Sequence, residues 1–170
     1  MESRRGEYLI RVKKFPPTFV MCLFVVITLG YYTEIWQSAF IKNINVMSKF
    51  AFGGNAREIK YPRKMDAYFV MIIISMVAVF FCMYYLSPIV LVGGAIAAIV
   101  SFSLWFYQSW KLMNKAYKEV SSLAEWYGLR DLSFELSRAS IFEIHEKSVK
   151  AFNDRLVDEH NERVAKYVWS

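Results

Sequence analysis

The chain has 170 residues, 56% of them hydrophobic and 18% aromatic, with a formal net charge of +6. That is too short and too apolar for an ordinary soluble enzyme built around a large pocket, and it fits one membrane domain with a helical extension. The excess charge lies in residues 1–66, with eleven basic against five acidic side chains, while ten basic and ten acidic residues balance from Lys111 onward. Such a distribution suits orientation against anionic lipid headgroups rather than a nucleic-acid footprint.

Residues 1–16 form a basic tail carrying Arg4, Arg5, Arg11, Lys13 and Lys14. Phe15-Pro16-Pro17 follows, and proline is tolerated in the first turn of a helix. Residues 17–34 then provide a first membrane segment, with nineteen uncharged residues between Lys14 and Glu34. A basic start and an apolar run look like a signal peptide, but Thr28-Leu29-Gly30-Tyr31-Tyr32 is too bulky for a small-x-small cleavage site. The sequence therefore predicts a retained membrane helix, able to span if nearly upright, with Glu34 at the interface.

Residues 35–66 comprise an amphipathic helix and a basic loop. Trp36, Phe40, Ile44, Met47 and Ala51 recur at three- and four-residue steps, opposite Ser38, Lys42, Asn45 and Lys49. Gly53-Gly54-Asn55 ends the helix. Arg57, Lys60, Arg63 and Lys64 then make a basic approach suited to the membrane surface.

Residues 67–110 contain no Asp, Glu, Lys, Arg or His over forty-four positions. One crossing needs about 20 apolar residues, so this run suffices for two. Leu86-Ser87-Pro88 supplies the break, because proline disfavours helical geometry in the residue before it. The result is a transmembrane helical hairpin, Ala67–Leu86 and Ile89–Trp110. Its second helix carries Gly93, Gly94, Ala97, Ala98 and Ser101, small residues that let another helix approach closely. The stripe serves either the hairpin's own packing or the seam of a homo-oligomer.

Residues 111–170 form a helical cytoplasmic tail. Leu112, Ala116, Val120, Leu123 and Tyr127 continue the second hairpin helix to a stop at Gly128. Asp131 or Ser133 is placed to cap a further helix. Ile141, His145, Val149, Phe152, Leu156, His160 and Val164 make one apolar stripe, assigned to partner binding, opposite charges of mixed sign.

The candidates for chemistry are few. His145 and His160 lie fifteen residues apart, about 22 Å along one straight helix, and so cannot share a metal within it. An antiparallel mate is needed to bring them together. Cys22 and Cys82 sit in apolar runs, the serines lack a nucleophile-elbow context, and Gly93-Gly94 is not a phosphate loop. No catalytic, cofactor or metal site is expected.

The fold class expected is an all-α membrane protein: a transmembrane hairpin, one further N-terminal membrane helix and a long amphipathic C-terminal tail. Nine basic residues border the hairpin's ends and none borders its turn. Both ends are thus expected in the cytoplasm of a bacterial inner membrane, with three spans and an outer N-terminus. The function expected is non-enzymatic: an assembly, exclusion, immunity or regulatory subunit, bound to anionic bilayers and to a membrane or cytoplasmic protein. The alternative is an oligomeric channel or transporter subunit.

Overall fold

A computed structural model describes residues 10–16, 18–28, 31–62, 64–85, 88–137 and 155–168. All regular structure among them is helical: α1 (Thr18–Ile27), α2 (Tyr31–Phe52), α3 (Lys64–Tyr85), α4 (Pro88–Trp126), α5 (Arg130–Ser137) and α6 (Val157–Val168), with a 3-10 turn at Gly53–Asn55. The chain divides into two compact units, one of residues 61–112 and one of residues 1–60 with 113–170.

The smaller unit is the hairpin. Proline opens α4, where its missing N–H is no loss. At about 1.5 Å per residue, the 22 residues of α3 extend about 33 Å, enough for a hydrocarbon layer of about 30 Å. Among the described residues, two helices are long and apolar enough to cross a membrane, with windows at Lys64–Phe81 and Leu91–Trp126. In the qualifying 18-residue stretch of each helix, only 17% and 6% of the residues are buried. A core helix of a soluble protein hides its apolar residues. Here Val70, Ile74, Val77 and Phe80 on α3, and Ile89, Ile96, Ile99 and Phe106 on α4, are exposed.

Beyond Trp110 the exterior of α4 changes. Lys111, Lys115, Lys118 and Glu125 are exposed while Leu112, Ala116, Val120 and Leu123 are buried. One helix thus passes from an apolar exterior to an amphipathic pattern at Trp110-Lys111. Gly128, at φ +83°, ends it. Leu129 N–H donates to Ala124 C=O at 2.8 Å and Gly128 N–H to Glu125 C=O at 3.0 Å, the paired bonds of a Schellman stop.

The core of the larger unit gathers Trp36, Phe40, Ile44 and Met47 of α2, the C-terminal part of α4, Leu136 of α5, and Leu156, Val157 and Val164 near the C-terminus. The amphipathic stripe expected in residues 35–66 is the buried face of α2, although Ala51 at its end is only half-buried. Two details differ from expectation. Helix α5 already begins at Arg130, so Asp131 lies in its first turn, facing the positive end of the helix dipole, and neither Asp131 nor Ser133 is the residue preceding the helix. Glu34 lies in the first turn of α2 with its side chain buried in the chain's own core rather than exposed.

The first apolar segment also differs. It yields α1, ten residues and about 15 Å long, half of what a crossing requires. The Thr28 hydroxyl donates to Phe24 C=O at 2.7 Å and accepts the Tyr32 N–H at 2.9 Å. One side chain thereby serves the last turn of α1 and the first of α2, which separates two helices where composition suggests one apolar run.

Candidate functional site

The small residues of α4 fall into two groups. A Cβ added at Gly94 would lie 2.9 Å from Val79 Cγ2 and 3.7 Å from Ser75 C=O, so Gly94 is where α4 closes on α3. Further along the same stripe Ala98 is half-buried and Ser101, about two turns from Gly94, is buried, as is Ser75 on α3. Gly93 is exposed, with nothing within 4 Å of the corresponding position, and Ala97 is half-buried. One stripe packs the hairpin, while Gly93 looks away from it.

In the larger unit, side-chain amides hold extended backbone. Asn45 on α2 donates through Nδ2 to Ile59 C=O at 2.8 Å and accepts the Ile59 N–H at 2.9 Å. Asn161 on α6 does the same to Val12, with both bonds at 2.9 Å. Each asparagine supplies one donor and one acceptor, and so stands in for a neighbouring strand. The second clamp belongs to a longer strap. Lys14 pairs with Asp158 at 2.6 Å, and His160 Nε2 bonds Ile10 C=O at 2.9 Å. Residues 10–14 are therefore fastened to α6 at three points, about 149 residues apart in sequence.

His160 is wholly buried. Because a carbonyl only accepts, Nε2 must carry the proton, leaving Nδ1 to accept the Tyr127 hydroxyl at 2.7 Å. The Phe50 ring meets the imidazole edge-on at 5.0 Å. Burial pushes the His160 pKa below its usual 6.5, opposed by the Ile10 bond, and pushes the Tyr127 pKa upward. Arg163 lies 4.9 Å from the ring centres of both Trp126 and Tyr127, donates to Tyr127 C=O at 2.9 Å and pairs with Glu159. A long cationic side chain thus covers the carbonyl end of α4, where positive charge is favoured. Elsewhere Ser48 donates to the buried Glu119, the Tyr117 hydroxyl donates to Leu136 C=O, and Arg155 pairs with Asp131.

The partner-binding stripe needs correction over its described half. Leu156, His160 and Val164 face the chain's own core and are buried, because residues 10–14, Phe50 and Tyr127 already occupy that side of α6. Ile141, His145, Val149 and Phe152 lie outside the described residues. With both ring nitrogens committed, His160 is also not placed to share a metal with a mate's His145. Among the described residues no three His, Cys, Asp or Glu side chains gather as metal ligands. Of the basic approach, Arg57, Lys60 and Lys64 are exposed, and Arg63 lies outside the described residues. Arg57 lines an open recess of about 290 Å³ with Phe52, Asn55, Glu119 and Ser122.

No family model, curated protein or solved structure matches this chain.

The strap bears directly on topology. Three crossings place residues 10–14 and α6 on opposite sides of a membrane, yet these segments are hydrogen-bonded to each other. Among the described residues two helices rather than three are long and apolar enough to cross a membrane, and the strap is at odds with an outer N-terminus. Asn45 and Asn161 were not legible as clamps. Only their place on the polar faces of amphipathic helices marks them, and that place is shared by many solvated residues.

Proposed function

We propose that this protein is a non-enzymatic, two-crossing integral membrane protein that presents a helical body at the cytoplasmic membrane face for contact with a protein partner. The observation carrying this reading is the exposed apolar exterior of α3 and of residues 88–110, next to a chain that turns amphipathic at Lys111. Exposed charges at Arg57, Lys60, Lys64, Lys111, Lys115 and Lys118 favour the cytoplasmic side and anionic headgroups. The buried stripe on α6 moves the partner contact to the outer surface of the body, where Phe134 and Tyr167 are large and exposed. An assembly, exclusion, immunity or regulatory role fits a surface of this kind.

Two tests apply. The full chain should remain in the membrane pellet after alkaline carbonate washing and leave it only with detergent; release by carbonate would overturn the membrane reading. A photoreactive amino acid at Phe134 or Tyr167 should give a discrete crosslinked adduct in cells, lost on substitution of the neighbouring surface. Uniform absence of adducts from both positions would remove the partner surface named here.

One observation favours a second reading, an oligomeric channel or transporter subunit. Gly93 is exposed within the apolar part of α4, with room for another helix to approach. Gly93→Leu should then abolish an oligomer captured by crosslinking in liposomes, together with any ion flux. A monomer at all protein-to-lipid ratios excludes this reading.

A further inference from the structure

We propose that α1 and the first turn of α2 form an interfacial anchor, lying within the headgroup–hydrocarbon boundary on the side from which both ends of the hairpin emerge. The proposal rests on the membrane reading above and adds a second, shallower contact with the bilayer.

Phe19, Leu23 and Ile27 succeed one another at four-residue steps along α1 and are exposed, Phe19 by 78% and Ile27 by 66%. Phe24, Tyr31 and Ile35 extend the apolar exterior into α2, and the Phe24 and Tyr32 rings lie 5.2 Å apart across the bend. Between Lys14 and Lys42 the only charged residue is Glu34. Its side chain is buried, so the described outer surface of this stretch carries no charge. The outer face of α2 then turns polar at Ser38 and basic at Lys42 and Lys49.

This face differs from that of an ordinary soluble helix, whose exposed side is polar. A crossing is excluded by the ten-residue length and by the strap to α6. What remains is a short helix with a large apolar exterior, anchored inward by Met21 and by the Phe15 ring against Trp36 and Phe40. Exposed Arg11 and Lys13 precede it, as suits an element that meets anionic headgroups. Chain connectivity supplies the location. Lys60 is four residues from the start of α3, and Met113 is three residues past Trp110. The larger unit is thus continuous in sequence with both ends of the hairpin, through the short link from Lys60 to Lys64 and through the unbroken helix α4. A lipid surface is the occupant these features select. A second copy of this chain or another protein is the competing outcome.

The test uses the full chain in vesicles containing phosphatidylglycerol, with Cys22 and Cys82 replaced by serine. Single cysteines at Leu23, Ile27 and, as a deep reference, Ile99 carry an environment-sensitive fluorophore. Nitroxide quenchers are placed at the headgroup, the upper acyl chain or the bilayer centre. Ile99 should be quenched most from the centre. Leu23 and Ile27 should be quenched at least twofold more from the upper acyl chain than from the centre. Quenching of Leu23 and Ile27 from the centre as strong as at Ile99 would overturn the anchor in favour of a third span. No lipid quenching at either site, with Ile99 still quenched, would show that protein covers this face. A dependence of its emission on protein-to-lipid ratio then identifies a second copy. An unquenched Ile99 would remove the membrane reading itself, and the anchor with it.

Discussion

Gly94 and Gly93 are adjacent in one helix, alike in composition, and opposite in surroundings. Gly94→Leu places a Cβ 2.9 Å from Val79 Cγ2, inside any real contact distance, with further atoms beyond it directed at α3. Val79 has little freedom to yield, since β-branched side chains in helices are nearly fixed at χ1. Overpacking a tight contact costs about 1–3 kcal/mol. Relief of helical glycine returns about 0.5–1 kcal/mol, so the net loss is roughly 0–2.5 kcal/mol, or up to about 70-fold in the closed-to-open ratio of the hairpin. Gly93→Leu meets nothing within 4 Å and gains the same helical term without the clash. The difference is measurable as unfolding midpoints in mixed micelles followed by circular dichroism. Val79→Ala in the Gly94→Leu background should restore part of the loss, with a coupling of about 0.5–2 kcal/mol, because it deletes the clashing methyl. Equal midpoints for the two leucine variants, or no coupling to Val79, would refute the assignment of Gly94 to the hairpin seam.

Asn161→Ala should destabilise the larger unit by about 1–3 kcal/mol by leaving both backbone groups of Val12 unpaired, and hydrogen exchange should accelerate at residues 10–14 before it does elsewhere. Lys14→Ala, by contrast, should cost at most about 1 kcal/mol, because its ion pair with Asp158 is solvent-exposed. The His160 pKa lies below 6.5, so the unfolded chain takes up the proton more readily than the native one. Its stability contribution is complete above about pH 6.5 and is lost as the pH falls through the lower folded value. A denaturation series from pH 7.5 to 4.5 should show this acid limb, and His160→Gln should flatten it while lowering stability at neutral pH. Removing residues 157–170 should unfold the larger unit rather than merely delete a docking tail, because Val157, His160 and Val164 are core residues. Retained near-ultraviolet circular dichroism in that truncation would contradict this.

What the sequence revealed depended on whether the deciding force has a period. The buried face of α2 and the apolar exterior of the hairpin follow from burial repeated at helical spacing, so Phe40, Ile44 and Met47 were visible in advance. Gly128 was visible as a stop because few other residues adopt its backbone conformation. The strap was not visible. Asn161 bonds Val12 through a single pair of hydrogen bonds across 149 residues, and nothing periodic announces such a contact. The same gap explains α6: amphipathicity shows that Leu156, His160 and Val164 need a cover, but not whether that cover is a partner or residues 10–14 of the same chain. In α1, composition gave the apolar run but not its end, which depends on one hydroxyl at Thr28 bonding to both adjoining helices.

In the proposed arrangement the chain crosses the membrane twice, with residues 10–14 and α6 on one side. Single cysteines at Lys13, Ser87 and Lys166, in a background without Cys22 and Cys82, allow this to be read with an impermeant thiol reagent on intact cells. Ser87 should be labelled from outside, with Lys13 and Lys166 labelled only after lysis. Labelling of position 13 from outside while position 166 stays protected would contradict the strap and restore a third crossing.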